Sequence, residues 1–412
     1  MKKETNIKKA LGSLENWGTW LTILIPLALV VGRAPADVLV SATALLFFAD
    51  SALHKKWGWV KKPWVVAALL LWLYTVVRAA FIPGMPGDAL WAAFVWVRYI
   101  VFAASLADWT LAEEKGRTRL LQSLTAAVLF LSSDAIIQYI TGYDVLGHTW
   151  WYETRLTGPY NRPILGMTIA NLFAPVLFWL LQKKKFLLSF LVTTISFEAV
   201  FLSGDRMGFL FAAFIVAVWL FFLVRAKPAY GLSAFAALLG LGILLAQSPH
   251  LAERQFASTL ETMKEKTESP YALVWRSALD VGMTNPLFGV GIKQFRVLCP
   301  EERFGPVTVP DTEYLRCYTH PHNAYMEWFS EEGVIGLLGF IGFGFVLFFS
   351  MGKSVLSHRT DLIFWGLGAM LAMRLMPLFI TTGFFNNWVA IPFWLALGWA
   401  MSYSKPATKQ PF

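Results

Sequence analysis

The stretch MGFLFAAFIVAVWLFFLV, residues 207–224, decides the fold class. It carries no charge and no proline, and it is about as long as the run a helix needs to cross a hydrocarbon core roughly 30 Å thick. Asp205 and Arg206 close it on one side, Arg225 and Lys227 on the other. Working outward, comparable runs recur near 17–32, 37–53, 64–82, 88–106, 120–141, 163–181, 186–202, 230–247, 333–350, 362–380 and 386–403. Apolar residues make up 57% of the 412 residues and charged ones only 15%, against about 45–50% and 25% in a soluble domain, so no soluble core would bury them. The runs are continuous rather than alternating, which excludes an outer-membrane barrel. The sequence reads as an all-α polytopic membrane protein with about twelve transmembrane helices.

A net charge of +9 raises the question of nucleic acid, and the positions of the basic residues answer it. Lys2, Lys3, Lys8 and Lys9, Lys55, Lys56, Lys61 and Lys62, Lys115, Arg117 and Arg119, Lys183 to Lys185, Arg225 and Lys227, Lys353 and Arg359, and Lys405 and Lys409 fall in alternate connections. The short connections of the other set hold Arg33, Arg155, Arg162 and Arg206. Basic residues stay on the cytoplasmic side, so the pattern predicts both termini in the cytoplasm, with nucleic acid not required. Ala34-Pro35-Ala36 resembles a signal-peptidase site, but Arg33 interrupts the approach to it, and the first span is read as retained.

One stretch breaks the pattern. Residues 248–332 are too polar to span and too long for an ordinary connector. The expected organisation is therefore helices one to nine in 1–247, a large loop outside the cytoplasm in 248–332, and helices ten to twelve with a cytoplasmic tail in 333–412. Within the loop, Leu251–Lys266 reads as an amphipathic helix, Ala272–Val281 as a second helix, and Asn285–Pro310 as a Gly/Pro-rich segment. Cys299 and Cys317 both fall there; in an oxidising compartment a bridge is expected, with two buried thiols as the plainer reading.

Three short constellations lie on the outer side. The turn Ser203-Gly204-Asp205-Arg206-Met207-Gly208 offers an arginine at a helix end, which also reads as an interfacial anchor. Trp275-Arg276 is followed by Asn285-Pro286-Leu287-Phe288-Gly289-Val290-Gly291, where a Gly-x-Gly turn would let backbone amides approach an anion. The sharpest is His320-Pro321-His322-Asn323 followed by Gly333 and Gly336. Pro321 suits a first helical position, which would place His322 in the first turn and stack it with Gly333 and Gly336 on one face. The bland alternative is a hydrogen-bonded polar histidine. His320 and His322 with Asp311, Glu313 or Glu327 would be a metal set, but no His-Glu-x-x-His spacing occurs and no metal is assigned.

The His322-Asn323, nine residues, Gly333-x-x-Gly336 spacing, in a large outer loop before the last three spans, resembles the bacterial O-antigen ligases. Arg206 and Arg276 match that family's essential arginines, and the Gly158-Pro159-Tyr160-Asn161-Arg162-Pro163 turn also fits. The resemblance extends to O-antigen polymerases and protein O-oligosaccharyltransferases. It implies a C-type glycosyltransferase-like fold, an undecaprenyl-diphosphate-linked O-antigen donor, a lipid A-core acceptor, membrane lipid surroundings and no nucleotide sugar, metal or other cofactor. Chemistry agrees: guanidinium forks suit a diphosphate, and an imidazole with an ordinary pKa near 6.5 suits removal of a sugar hydroxyl proton.

The resulting expectation is an O-antigen ligase with His322, Arg206 and Arg276 catalytic, and with Arg206, Arg276, Arg155, Arg162 and Asn323 binding substrate. A polymerase is the alternative, and a protein acceptor or a lipid or glycan transporter is less favoured. Arg78, Arg98 and Arg374 are intramembrane or near-membrane charges without an assigned role. Arg98 or Arg374 paired with Asp134 would tie helices together.

Overall fold

The computed structural model describes the chain apart from residues 1, 83–85, 153, 232–252, 254–268, 309–314, 358–360, 378–379, 381–382 and 404–412. The regular structure among the described residues is helical, with isolated bridges in place of strands. The elements are α1 Lys2–Val31, α2 Arg33–His54, α3 Pro63–Ala80, α4 Pro86–Val95, α5 Val97–Ser105, α6 Glu114–Thr141, α7 Leu165–Gln182, α8 Phe186–Leu202 and α9 Arg206–Ala226, followed by α10 Pro270–Gly282, α11 Phe295–Leu298, α12 Ala324–Ser357, α13 Ile363–Leu375 and α14 Asn387–Ser402. Among the described residues eight helical stretches are long and apolar enough to cross a membrane, α4 and α5 together making one of them, and two shorter apolar helices, α8 and α13, accompany them. The expected ninth span, the amphipathic Leu251–Lys266 helix, Asp311 and Glu313 lie outside the described residues.

Local chemistry sets the helix ends. Pro63 and Pro270 occupy first turns, where a missing N–H costs nothing. Asp205, Ser269 and Asn386 cap α9, α10 and α14, their side-chain oxygens accepting from Gly208 N, Ala272 N and Trp388 N. Gly142 closes α6 in the left-handed conformation. The fourth apolar run bends at Trp96 into α4 and α5 and ends in a wider turn at Leu106–Thr110.

Hydrogen bonds identify the two ends of the bundle. At one, Lys62 Nζ donates to Asp108 Oδ1 (2.7 Å), Lys183 to Glu114 (3.2 Å) and Gln182 to Asp361 (3.0 Å). Lys55, Lys56, Lys61, Lys115, Arg117 and Lys184 share that end, as the alternating connections require. At the other end Leu156 N donates to Ser203 O (3.1 Å), and residues 270–308 and 315–323 pack over the helices. Outward faces carry Leu24, Phe48, Leu70, Leu73, Phe214, Phe345 and Phe348, all exposed; in water such faces would be untenable, and in lipid they are the solvated surface. Inside, α14 is almost wholly buried, and Gly398 lets it approach the α5 backbone so closely that a Cβ would lie 2.5 Å from Ala103 O.

The expected Arg98–Asp134 tie does not form. Arg98 Nη2 donates to both carboxylate oxygens of Asp37 at 3.0 Å, joined by Tyr99 Oη at 2.8 Å, and so fastens α5 to the head of α2. Asp134 instead accepts from Val145 N (2.8 Å) in the connection after its own helix. Arg374 lies in the last turn of α13, buried, with Nε and Nη1 unbonded.

Candidate functional site

The head of α12 differs from the expectation in a way that reorganises the site. The helix begins at Ala324, three residues after Pro321. Asn323 is its cap: Oδ1 accepts from Tyr325 N (2.9 Å) and Met326 N (3.1 Å), while Nδ2 donates to Pro377 O (2.5 Å). A cap residue sits outside the helix, so His322 lies one residue further out, with φ 58°. The stack of His322 over Gly333 and Gly336 also fails, because Gly333 has φ 71° and ψ −171° and breaks the helix.

That break is filled by the Gly-x-Gly loop. Val290 N and Gly291 N donate to Ser330 O (3.0 Å) and Glu331 O (2.5 Å), and Val334 N and Ile335 N donate to Pro286 O (2.9 Å) and Leu287 O (3.3 Å). A kink frees carbonyls and amides that cannot stay unbonded in an apolar surround, and the loop supplies their partners. Arg78 completes the joint from α3, donating to Phe288 O (2.9 Å) and Gly289 O (2.6 Å). The glycine amides expected to face an anion are thus spent on backbone: Gly289 N donates to Asn285 O (2.7 Å) and Gly291 N to Glu331 O.

Around the joint the outer segment forms a small core of Val274, Ala278, Val281, Val290, Phe295 and Cys299. Cys299 and Cys317 are bonded, Cα to Cα 5.7 Å. Arg316 threads the same segment, donating to Cys299 O and Gly305 O at 2.8 Å each.

His320 and His322 project from this framework with ring centroids 4.2 Å apart. Tyr318 (5.3 Å) and Tyr271 of α10 (6.0 Å) flank His322 edge-on. Thr319 Oγ1 meets His320 Nδ1 at 3.0 Å, and His320 Nε2 is buried without a hydrogen bond. Burial, with His322 and Arg296 nearby, pushes the His320 pKa down to about 3, so its ring is neutral.

His320 lines a polar cavity of about 490 Å³ together with Arg33 and Asp37 from α2, Lys293 and Arg296, Glu327 of α12, and Asn386 and Asn387 at the head of α14. Its floor is aromatic: Phe385 lines it and packs on Trp96 and Trp328 at 5.6 and 5.0 Å. Burial and the Arg296 charge push the Lys293 ammonium below its usual range. Glu331, beneath, accepts from Lys293 N (2.7 Å) and Phe295 N (3.3 Å) and so sets the start of α11, which carries Arg296.

The expected arginines stand on different elements. Arg206 opens α9 directly after Asp205, whose carboxylate accepts from Gly208 N (3.1 Å) and Met167 N (3.2 Å) and pairs with Arg155 at 3.4 Å. Arg155 also donates to Pro163 O (2.7 Å), binding the 155–163 turn to the heads of α7 and α9. Arg162 is exposed on that turn. Arg276 is exposed on α10, whose first turn carries Tyr271 against His322.

Most of these side chains sit in one stretch of chain. Residues 191–341 match the family model for O-antigen ligase. A comparison with curated proteins finds no match. Members of the O-antigen ligase family are glycosyltransferase-like enzymes that act on lipid-linked glycans, and the long apolar helices of this chain are those of a multi-pass membrane protein. Within the O-antigen ligase stretch lie Arg206, Arg276, Lys293, Arg296, His320, His322 and Asn323; Arg33, Asp37, Arg155 and Arg162 lie before it. Sequence reasoning placed no weight on Lys293 and Arg296 or on Arg33 and Asp37. Arg33 and Asp37 carried a local signal, four residues apart at the start of one helix, whereas Lys293 sits in a turn before the helix that carries Arg296 and had none.

Proposed function

We propose that this chain transfers a preassembled glycan from undecaprenyl diphosphate to a sugar hydroxyl of lipid A-core, forming lipopolysaccharide with inversion at the anomeric carbon. The observation carrying the reading is the His320–His322 pair at the head of α12, beside a cationic cavity and within the family stretch. The acceptor hydroxyl attacks the anomeric carbon, whose bond to the diphosphate oxygen breaks with its electron pair leaving on the diphosphate. His322 takes the hydroxyl proton. Arg206 and Arg276 hold the diphosphate, since a guanidinium remains charged and bonds two oxygens at once, and they stabilise the charge that grows on it as it leaves. Arg162 contributes a further cation to substrate phosphates. Arg155 and Asn323 serve the same site by fixing the Arg206 turn and the His322 backbone. No metal or cofactor has a part in these steps. The basic end of the bundle faces the cytoplasm, with both termini, and the histidine end faces the periplasm.

Reconstitution with a lipid-linked glycan and defined lipopolysaccharide core tests this. Product on the core is the expected result. Longer lipid-linked chains would instead establish a polymerase, and movement of glycan without bond exchange a transporter.

A further inference from the structure

The cavity beside His320 is not explained by the arginines assigned to the donor. Arg33, Lys293 and Arg296 line it, and none of the ion pairs among the described residues involves them. Its two carboxylates are already engaged: Asp37 by Arg98 and Tyr99, Glu327 through Oε2, which accepts from Phe384 N (2.5 Å). Arg98 is taken up by Asp37, and Glu331 lies close enough to act on Lys293 and Arg296 without forming an ion pair with either, so the three lining cations keep no ion-pair partner. Cations gathered without partners in a walled site repel one another, and the crowding is relieved by a bound anion. The cavity volume falls in the 300–1,000 Å³ range of small-ligand sites. His320 supplies a neutral ring with one nitrogen unbonded, and its neighbour is the proposed base.

We infer that this cavity is a second anion site, separate from Arg206 and Arg276, which takes the phosphate groups of the acceptor, a phosphorylated lipid-linked saccharide. An anion anchored there lies next to His322, and the group that must give up a proton to His322 is the acceptor's hydroxyl. Naming the ligand as acceptor rests on the transferase reading above; the anion site itself rests on the cavity.

The test is direct binding to the full chain in phosphatidylcholine nanodiscs, read by native mass spectrometry with diphosphoryl lipid A, undecaprenyl diphosphate and phosphatidylglycerol as separate probes. Lys293→Gln with Arg296→Gln should weaken diphosphoryl lipid A roughly 10²-fold, the loss of two charged hydrogen bonds, and leave undecaprenyl diphosphate unchanged. Lys293→Arg, which keeps the charge and adds donors, should bind within about threefold of the parent, and unchanged melting temperatures would exclude misfolding. Full retention of diphosphoryl lipid A by the double variant overturns the inference. Equal loss of phosphatidylglycerol overturns the acceptor assignment in favour of a general anionic-lipid surface. Loss of undecaprenyl diphosphate instead makes the cavity the donor site and overturns the donor role of Arg206 as well. Absence of glycan transfer by the parent defeats the transferase reading while leaving the binding result intact.

Discussion

At the scale of single residues, the two histidines have different work. His322 is flanked by two tyrosines and is the proposed base; general-base catalysis supplies about 10²- to 10⁴-fold. His322→Ala should therefore lower turnover by that order with donor binding nearly intact, whereas His320→Ala should have a milder effect on turnover. Single-turnover kinetics on preloaded donor would separate the two, and loss of donor binding with normal turnover in His322→Ala would make His322 a positioning residue. His320 makes a second prediction through its proton. Its folded pKa of about 3 lies below the ordinary 6.5, so the folded chain binds fewer protons than the unfolded one between those values. Stability from this residue is complete above pH 6.5 and is lost as pH falls from there towards 3. The groups facing the ring are His322, Arg296, Lys293, Arg33, Asp37 and Glu327. Thermal unfolding in detergent at pH 7.5 and pH 5 should show a drop that His320→Gln reduces; an equal drop in the variant would assign the effect to other groups.

At the scale of elements, the joint between α12 and the 285–291 loop is the part most sensitive to change. A Cβ on Gly333 would lie 2.3 Å from Leu287 O and 2.5 Å from Gly289 N, on a backbone with φ 71°. Neither backbone group can swing aside as a side chain would. Gly333→Ala should cost roughly 3 kcal/mol or more from conformational strain plus overlap. Gly342→Ala, further down the same helix with no atom within 4 Å, should be close to neutral. Melting temperatures of the two variants test the contrast, and equal values would contradict the joint. The outer segment has its own restraint in the Cys299–Cys317 bond, 18 residues apart. Closing such a loop is worth on the order of 3 kcal/mol, so Cys299→Ser should lower the melting temperature, and non-reduced denatured parent protein should resist alkylation. Free labelling of both thiols would show the bond absent.

At the scale of the whole molecule, topology is the testable quantity. A cysteine in place of Arg162 should react with a membrane-impermeant thiol reagent from the periplasmic side, and one in place of Lys184 only after the membrane is permeabilised. The reverse pattern would invert the protein and move the proposed site to the cytoplasm.

Hydropathy and charge order alone determined the membrane class, the alternation of basic connections and the presence of a long polar stretch between apolar runs, because burial in lipid is imposed residue by residue along a run such as 207–224. The caps at Asp205 and Ser269 follow equally local rules. Only the tertiary structure decided that Asn323 caps α12 and leaves His322 outside the helix, that Gly333 is a break filled by another segment's amides, and that Arg98 meets Asp37 rather than Asp134. It alone brought Arg33 from the second helix to Lys293 and Arg296 in the outer segment. These are contacts between parts of the chain far apart in sequence, fixed by which backbone groups had to find partners and which glycines allowed close approach, and no local pattern carries that information.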